Sequence, residues 1–129
     1  MGGPGARRRT GSESPYEARY GYSRAVRVGD RVIVSGTAPV WPDGSCDLDP
    51  RAQVRRCCEI IVAALAELGA RPEHVVRTRM FISDPEVADV VGDVHREHFG
   101  AAAPAATMVV ARLLDPRWAV EIEAEALVG

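Results

Sequence analysis

The chain has 129 residues, 47% of them hydrophobic, and a formal net charge of −2, which is enough for one domain with its own core. No apolar run approaches the roughly 20 residues that cross a bilayer, so a membrane-spanning helix is excluded. All sixteen basic residues are arginine; Schiff-base lysines, phosphate-loop lysines and lysine general bases are therefore excluded as well. With Arg7, Arg8, Arg9 and Glu13 set aside, 13 arginines face 17 carboxylates. That balance argues against nucleic-acid binding built on phosphate neutralisation.

The opening MGGPGARRRTGSES is rich in Gly, Arg and Ser with no apolar stretch behind it, and Ala6 breaks the acylation pattern that would start at Gly2. Residues 1–19 read as a flexible tail, 20–129 as a single domain, and the address as cytoplasmic. RAVRV (24–28) and RVIVSG (31–36) flank Gly29-Asp30 and predict a tight hairpin. TAPVWPDGSCDLDP is dense in turn formers and predicts a loop. Asp49-Pro50 then opens a helix, aspartate as N-cap and proline at the first helical position. Val54, Cys57, Cys58, Ile61, Ala64, Leu65 and Leu68 follow at spacings of three and four, one apolar face ended by Gly69. VVRTRMFIS (75–83) predicts a strand with Val76, Thr78, Met80 and Ile82 on one side and Val75, Arg77, Arg79 and Phe81 on the other. Asp84-Pro85 repeats the helix start, and Val87, Val90, Val91, Val94 and His98 make a second stripe closed by Gly100. Two more strands are expected over 106–114 and 119–127, joined at Asp115-Pro116.

The predicted order is ββαβαββ. Two one-faced helices belong side by side on one face of a mixed sheet, an α+β fold. The other sheet face carries too many apolar side chains to be left in water, so a homo-oligomer is expected. Cys46, Cys57 and Cys58 read as reduced thiols rather than a disulfide framework. His95 and His98, three apart on the second helix, lack a convincing third ligand, so no metal is expected. Trp41 and Trp118 lie in loops, where each could wall an apolar cleft or simply pack.

VEIEAEAL (120–127) alternates without a slip: Val120, Ile122, Ala124 and Ala126 one way, Glu121, Glu123 and Glu125 the other. The glutamates could form a cross-strand ladder with Arg77, Arg79 and Arg112. One of them could instead sit partly desolvated at a subunit boundary and activate water. The two readings are compatible.

Five segments in order, YSRAVRVGDRVIVSGTAPV (22–40), LAELGA (65–70), VVRTRMFISD (75–84), HFG with Pro104, and VEIEAEA (120–126), resemble the RidA (YjgF) family, whose older label is endoribonuclease or translation inhibitor. The resemblance implies a chorismate-mutase-like fold closed into a homotrimeric barrel with clefts between subunits. It also implies a small-molecule ligand and no cofactor, with hydrolysis of reactive enamines or imines to keto acids and ammonia in the deaminase branch; a non-catalytic metabolite-binding or protein-protecting module is the alternative. Carried over residue by residue, Glu121 matches the glutamate that positions water, Tyr22 the tyrosine near the cleft, and Ser35 and Gly36 the loop edge lining it. Ala106, Thr107 and Trp41 are expected at the substrate. The deaminase branch places a carboxylate-clamping arginine where Pro104-Ala105-Ala106-Thr107 has Ala106. Either Arg24, Arg79 or Arg117 from a neighbouring chain replaces it, or the substrate is not an α-carboxylate, or the cleft has left that chemistry; Met108 stands where that branch often has a cysteine.

Overall fold

The structure, a computed structural model, describes residues 6–12 and 14–129. Within them six strands and three α-helices run in the order β1 (Arg7–Thr10), α1 (Tyr16–Tyr20), β2 (Ala25–Val28), β3 (Arg31–Thr37), α2 (Pro50–Glu67), β4 (Val75–Ile82), α3 (Ala88–Phe99), β5 (Ala105–Val110) and β6 (Val120–Leu127). One sheet in the order β1-β2-β3-β6-β4-β5 contains all six strands. Only β4 and β5 run parallel; α3 lies in the crossover that such a pair requires. No helix of the described residues is long and apolar enough to cross a membrane.

α2 starts as its sequence dictates: the Asp49 side chain accepts from Ala52 N and Pro50 occupies the first turn. It stops where Gly69 takes φ +80°, a left-handed conformation that costs any other residue more. The apolar stripe from Val54 through Leu68 is buried, and with Val91, Val94 and Phe99 of α3 it covers Val32, Val34, Met80, Ile82, Val120, Ile122, Ala124 and Ala126 on one sheet face. Both helices therefore share one face, as their stripes require. Cys57 and Cys58 are free and buried, and Cys46 is free. Burial, with the charges of Glu59 and Glu97 adding to it, pushes the Cys58 thiol up to about 12, which leaves it protonated and inert.

Three sequence expectations are corrected. The stretch taken as a flexible tail contains β1, paired antiparallel with β2 from Arg7↔Val28 to Thr10↔Ala25, and the helix α1. Main-chain pairing along an open sheet edge needs little hydrophobic content, so composition did not reveal it; the acylation question at Gly2 lies outside the described residues. The strand expected over 106–114 ends at Val110, because its partner β4 ends at Ile82 and leaves 112–114 nothing to pair with; Arg112 is therefore in a loop. In β4 a register shift between Val75 and Arg77 puts Val75 in the core and exposes Val76, the reverse of simple alternation.

One buried polar residue ties the sheet to its loops. Gln53, 1% exposed, donates Nε2 to Asp47 O at 2.7 Å and Arg117 O at 2.9 Å, and its Oε1 accepts from Ala119 N at 2.7 Å. It fixes the chain immediately before β6. Gln53→Leu is expected to lower stability by about 2–4 kcal/mol, since it strands buried partners in an apolar surrounding; urea denaturation at one fixed protein concentration measures it.

Candidate functional site

The helix-free face of the sheet decides which glutamate is free to act. Register places Arg77 opposite Glu125, Arg79 opposite Glu123 and Phe81 opposite Glu121. Arg79 Nη1 pairs with Glu123 Oε1 at 2.8 Å, as a cross-strand ladder requires. Glu125 turns the other way, to Arg31 Nη2 on β3 at 3.0 Å. Arg77 instead donates Nη2 to Thr107 Oγ1 at 3.2 Å, and Arg112 is off the sheet. The expected ladder thus forms with Arg31 in place of Arg77 and Arg112, and it stops before Glu121. No ion pair of the described residues includes Glu121.

Glu121 is steered instead by a bulge. The β3–β6 register shifts between Val34 and Thr37, so Ser35 and Gly36 form an irregular edge of the kind that re-aims side chains. Glu121 Oε2 packs against Gly36 so closely that a Cβ there would overlap it. Arg24 holds the bulge from the other side: its Nη2 donates to Ser35 O at 2.7 Å, Gly36 O at 2.8 Å and Thr37 Oγ1 at 2.8 Å. Ser35 Oγ donates to Ser23 O at 2.6 Å, and Ser35 N to Arg24 O at 3.0 Å. Tyr22, 42% exposed, leads into this segment. Burial raises the Glu121 carboxyl above its usual range; Arg24 acts against that rise and Glu123 adds to it. Burial in turn lowers the Arg24 guanidinium, against the pull of Glu17, Tyr22 and Glu121.

The expected site residues divide into two groups. Tyr22, Ser35, Gly36 and Glu121 gather around Arg24 of the same chain, whereas the sequence suggests Arg24 as a replacement from a neighbouring chain. Ala106 and Thr107 lie on β5, separated from β6 by β4. Ala106 pairs with Thr78, whose side chain faces the helices, so Ala106 and Glu121 are on opposite sheet faces and roughly 14 Å apart in the sheet plane. Trp41 is occupied elsewhere, its ring 4.1 Å from the Arg56 guanidinium on α2 and its Nε1 donating to Asp47 at 2.9 Å. Arg117 is bound to Asp115 at 2.9 Å, and Arg79 to Glu123. His95 Nε2 lies 2.8 Å from Thr78 Oγ1, a contact from α3 to β4, and His98 Nδ1 lies 3.0 Å from Val94 O within α3 itself. A surface depression of about 530 Å³ is lined by Ser83, the 110–116 segment and Trp118, and does not include Glu121.

Two outcomes test this geometry. Because the clash at Gly36 is with the far end of a flexible side chain, Gly36→Ala should leave the melting temperature within about 5 °C of the parent while displacing the Glu121 carboxylate, seen directly in a crystal structure of the variant. Glu121 also sets a pH signature. Its folded pKa is raised, so the stability it contributes is complete below the ordinary value of 4.5 and is lost as pH rises through the folded value. Glu121→Gln removes that loss. The variant should match the parent near pH 4 and become the more stable of the two by about pH 7, measured as urea midpoints at each pH.

The family model described as endoribonuclease L-PSP matches residues 12–128. An uncharacterized protein of Streptomyces coelicolor is 39% identical over 124 residues, covering 95% of this chain and 92% of that one. The 2-iminobutanoate/2-iminopropanoate deaminase of Salmonella typhimurium is 31% identical over 110 residues, covering 82% of this chain and 86% of that protein. Among solved structures, Rv2704 of Mycobacterium tuberculosis, a member of the YjgF family, superposes with a TM-score of 0.87 at 40% identity, covering 95% of this chain and 100% of that one. A mixed sheet with both long helices on one face, the ordered segments of the sequence and these matches lead to one conclusion: the chain belongs to the YjgF/RidA (endoribonuclease L-PSP) family.

Proposed function

We propose that this protein hydrolyses a reactive imine or enamine in a cleft completed by a second copy of the chain, with Glu121 as general base. A single observation carries the reading. Of the three glutamates on the open sheet face, Glu121 alone lacks an arginine partner, and it is the one held half-buried against a glycine at a strand bulge. A base needs a carboxylate free to take a proton, and burial makes that carboxylate more basic. Water adds its oxygen to the C=N carbon while Glu121 takes one water proton and passes it to the nitrogen. From the tetrahedral carbinolamine Glu121 then takes the hydroxyl proton and passes it to the nitrogen as the C–N bond breaks, which leaves a carbonyl compound, ammonia and the carboxylate restored. Tyr22 and the Ser35–Gly36 edge orient the substrate.

The cleft needs a partner because Ala106 and Thr107 are remote from Glu121 in one chain. A neighbouring copy, in a homotrimer, would bring its β5 to the Glu121 side, and the open sheet face with Ile33 and Val109 (39% and 42% exposed) would be covered in the assembly. Trp41, held by Arg56 and Asp47, is outside the proposed catalytic set. One observation favours a second reading, a non-catalytic small-molecule binder: Ala106 supplies no clamp, whereas a bidentate arginine–carboxylate contact in a sheltered site contributes on the order of 2–4 kcal/mol.

Freshly generated imines, with and without an α-carboxylate, separate the two readings. Ammonia release by the native protein that falls at least about 100-fold in Glu121→Gln supports the hydrolase, and light scattering should give a mass three times that of one chain. Release equal in the variant removes Glu121 from the chemistry. Release from neither substrate favours the binder. In the active case kcat/KM should rise with pH through an apparent pKa above the ordinary carboxylate value.

A further inference from the structure

We infer that Arg24 is the anion anchor of this site, and that the ligand it selects carries a carboxylate or an equivalent oxyanion next to the reacting group. The inference rests on the proposed location of the site at Glu121 but not on its being catalytic.

Arg24 is a half-buried cation whose neighbours satisfy only part of it. Three oxygens converge on Nη2, and all three are neutral: two backbone carbonyls and a threonine hydroxyl. Nε is buried and has no acceptor. No carboxylate of the described residues comes within ion-pair distance. Removing a guanidinium from water without an anion costs several kcal/mol, and a donor left unpaired adds to that cost. Sites that hold a charge in this way are completed by a ligand of the opposite sign or by a partner chain.

Two further features of the surroundings point to a ligand. Two acids influence the Arg24 charge without pairing with it: Glu17, whose carboxylate accepts from Ser12 N and Ser12 Oγ, and Glu121, which is packed against Gly36. A molecule with a carboxylate at one end and a polarised C=N bond at the other fits Arg24 and Glu121 together: anion toward Arg24, reacting carbon toward the water held by Glu121. The guanidinium is also immobile, because Nη2 is fixed by the bulge it holds. A preset fork loses less side-chain entropy on binding than a free arginine does.

The other arginines on this face are less suited. Arg31 and Arg79 are neutralised by Glu125 and Glu123. Arg77 has a buried Nε without an acceptor too, but it pairs across β4 and β5 with Thr107 and lies four residues along β4 from Phe81, the residue opposite Glu121. That is roughly 13 Å from the acid along the strand. Arg24 therefore takes the part that Ala106 cannot, from the same chain as the base rather than from its neighbour.

Pyruvate, a stable carboxylate of the product class, is the probe. Calorimetric titration of the native oligomer should show binding that weakens about 30-fold or more in Arg24→Gln and recovers in part in Arg24→Lys, as loss of one charge-assisted contact predicts. Because Arg24 also holds the bulge, a structural effect must be separated from an anchoring one. Turnover of paired imines does so. Loss of the anchor raises KM for the α-carboxylate imine and spares its neutral amide counterpart, whereas a distorted bulge lowers kcat for both. A crystal structure of the native protein with pyruvate should show its carboxylate on Arg24 Nη1, the donor left open when Nη2 is engaged by the bulge and Nε is buried. A carboxylate found on Arg77 or Arg112, or equal pyruvate affinity in Arg24→Gln, overturns the assignment. If native protein binds pyruvate through Arg24 but turns over neither imine, the anchor stands and the hydrolase reading fails; if it turns over both imines with Arg24→Gln selectivity unchanged, the hydrolase stands and the anchor fails.

Discussion

The two-residue period of β6 is the constraint on which the site depends. Val120, Ile122, Ala124 and Ala126 are all buried under α2 and α3. Sliding the strand by one position would carry three carboxylates into that core, at a cost far above the stability of a domain this size. Register is thereby fixed, and the positions of Glu121, Glu123 and Glu125 on the opposite face follow from it. Catalytic potential on one face is held in place by hydrophobic burial on the other. Gln53 acts on the same strand by fastening Ala119, its last preceding residue.

Once β6 is fixed, its neighbours assign different fates to three chemically identical side chains. Glu125 has an arginine on β3 and Glu123 one on β4, and each carboxylate is held in an ion pair. Glu121 has Phe81 across β4 and a glycine at the bulge of β3. Exposed ion pairs of this kind contribute at most about 1 kcal/mol each, so Arg31 and Arg79 matter less for stability than for keeping Glu123 and Glu125 occupied. What differentiates Glu121 is desolvation without a partner.

Much of the scaffold was legible because its signals are local. Asp49-Pro50, the three-and-four spacing through Leu68 and the positive φ at Gly69 each state their own physics, and α2 follows them. β1 was missed because edge pairing is a main-chain affair with no side-chain signature, and the end of β5 because it depends on where β4 stops. Half of the site could have been read further. A two-residue turn at Gly29-Asp30 sets Val28 opposite Arg31, and the same register continued places Arg24 opposite Ser35. Arg24 is thus assignable to the Ser35–Gly36 edge from the sequence alone. The bulge itself was not, since one extra residue in β3 leaves the alternation of its apolar positions almost unchanged; nor was the choice between Arg31 and Arg77 for Glu125, which turns on side-chain reach.

Placing anchor and base on one chain has a thermodynamic consequence. Arg24 now lowers the proton affinity of Glu121 by its charge. An anion bound to Arg24 cancels that influence and adds a negative charge of its own, so ligand binding makes Glu121 more basic, and by reciprocity a protonated Glu121 favours the anion. In the proposed reaction the base gains strength only when a substrate of the right charge is present. A neutral imine would meet a weaker base. An anchor on the far chain could produce this coupling only if the subunit seam held both groups to sub-ångström tolerance; here the bulge that Arg24 grips through Ser35 and Gly36 is the same one against which Glu121 is packed, so the distance between them is set within a single stretch of backbone.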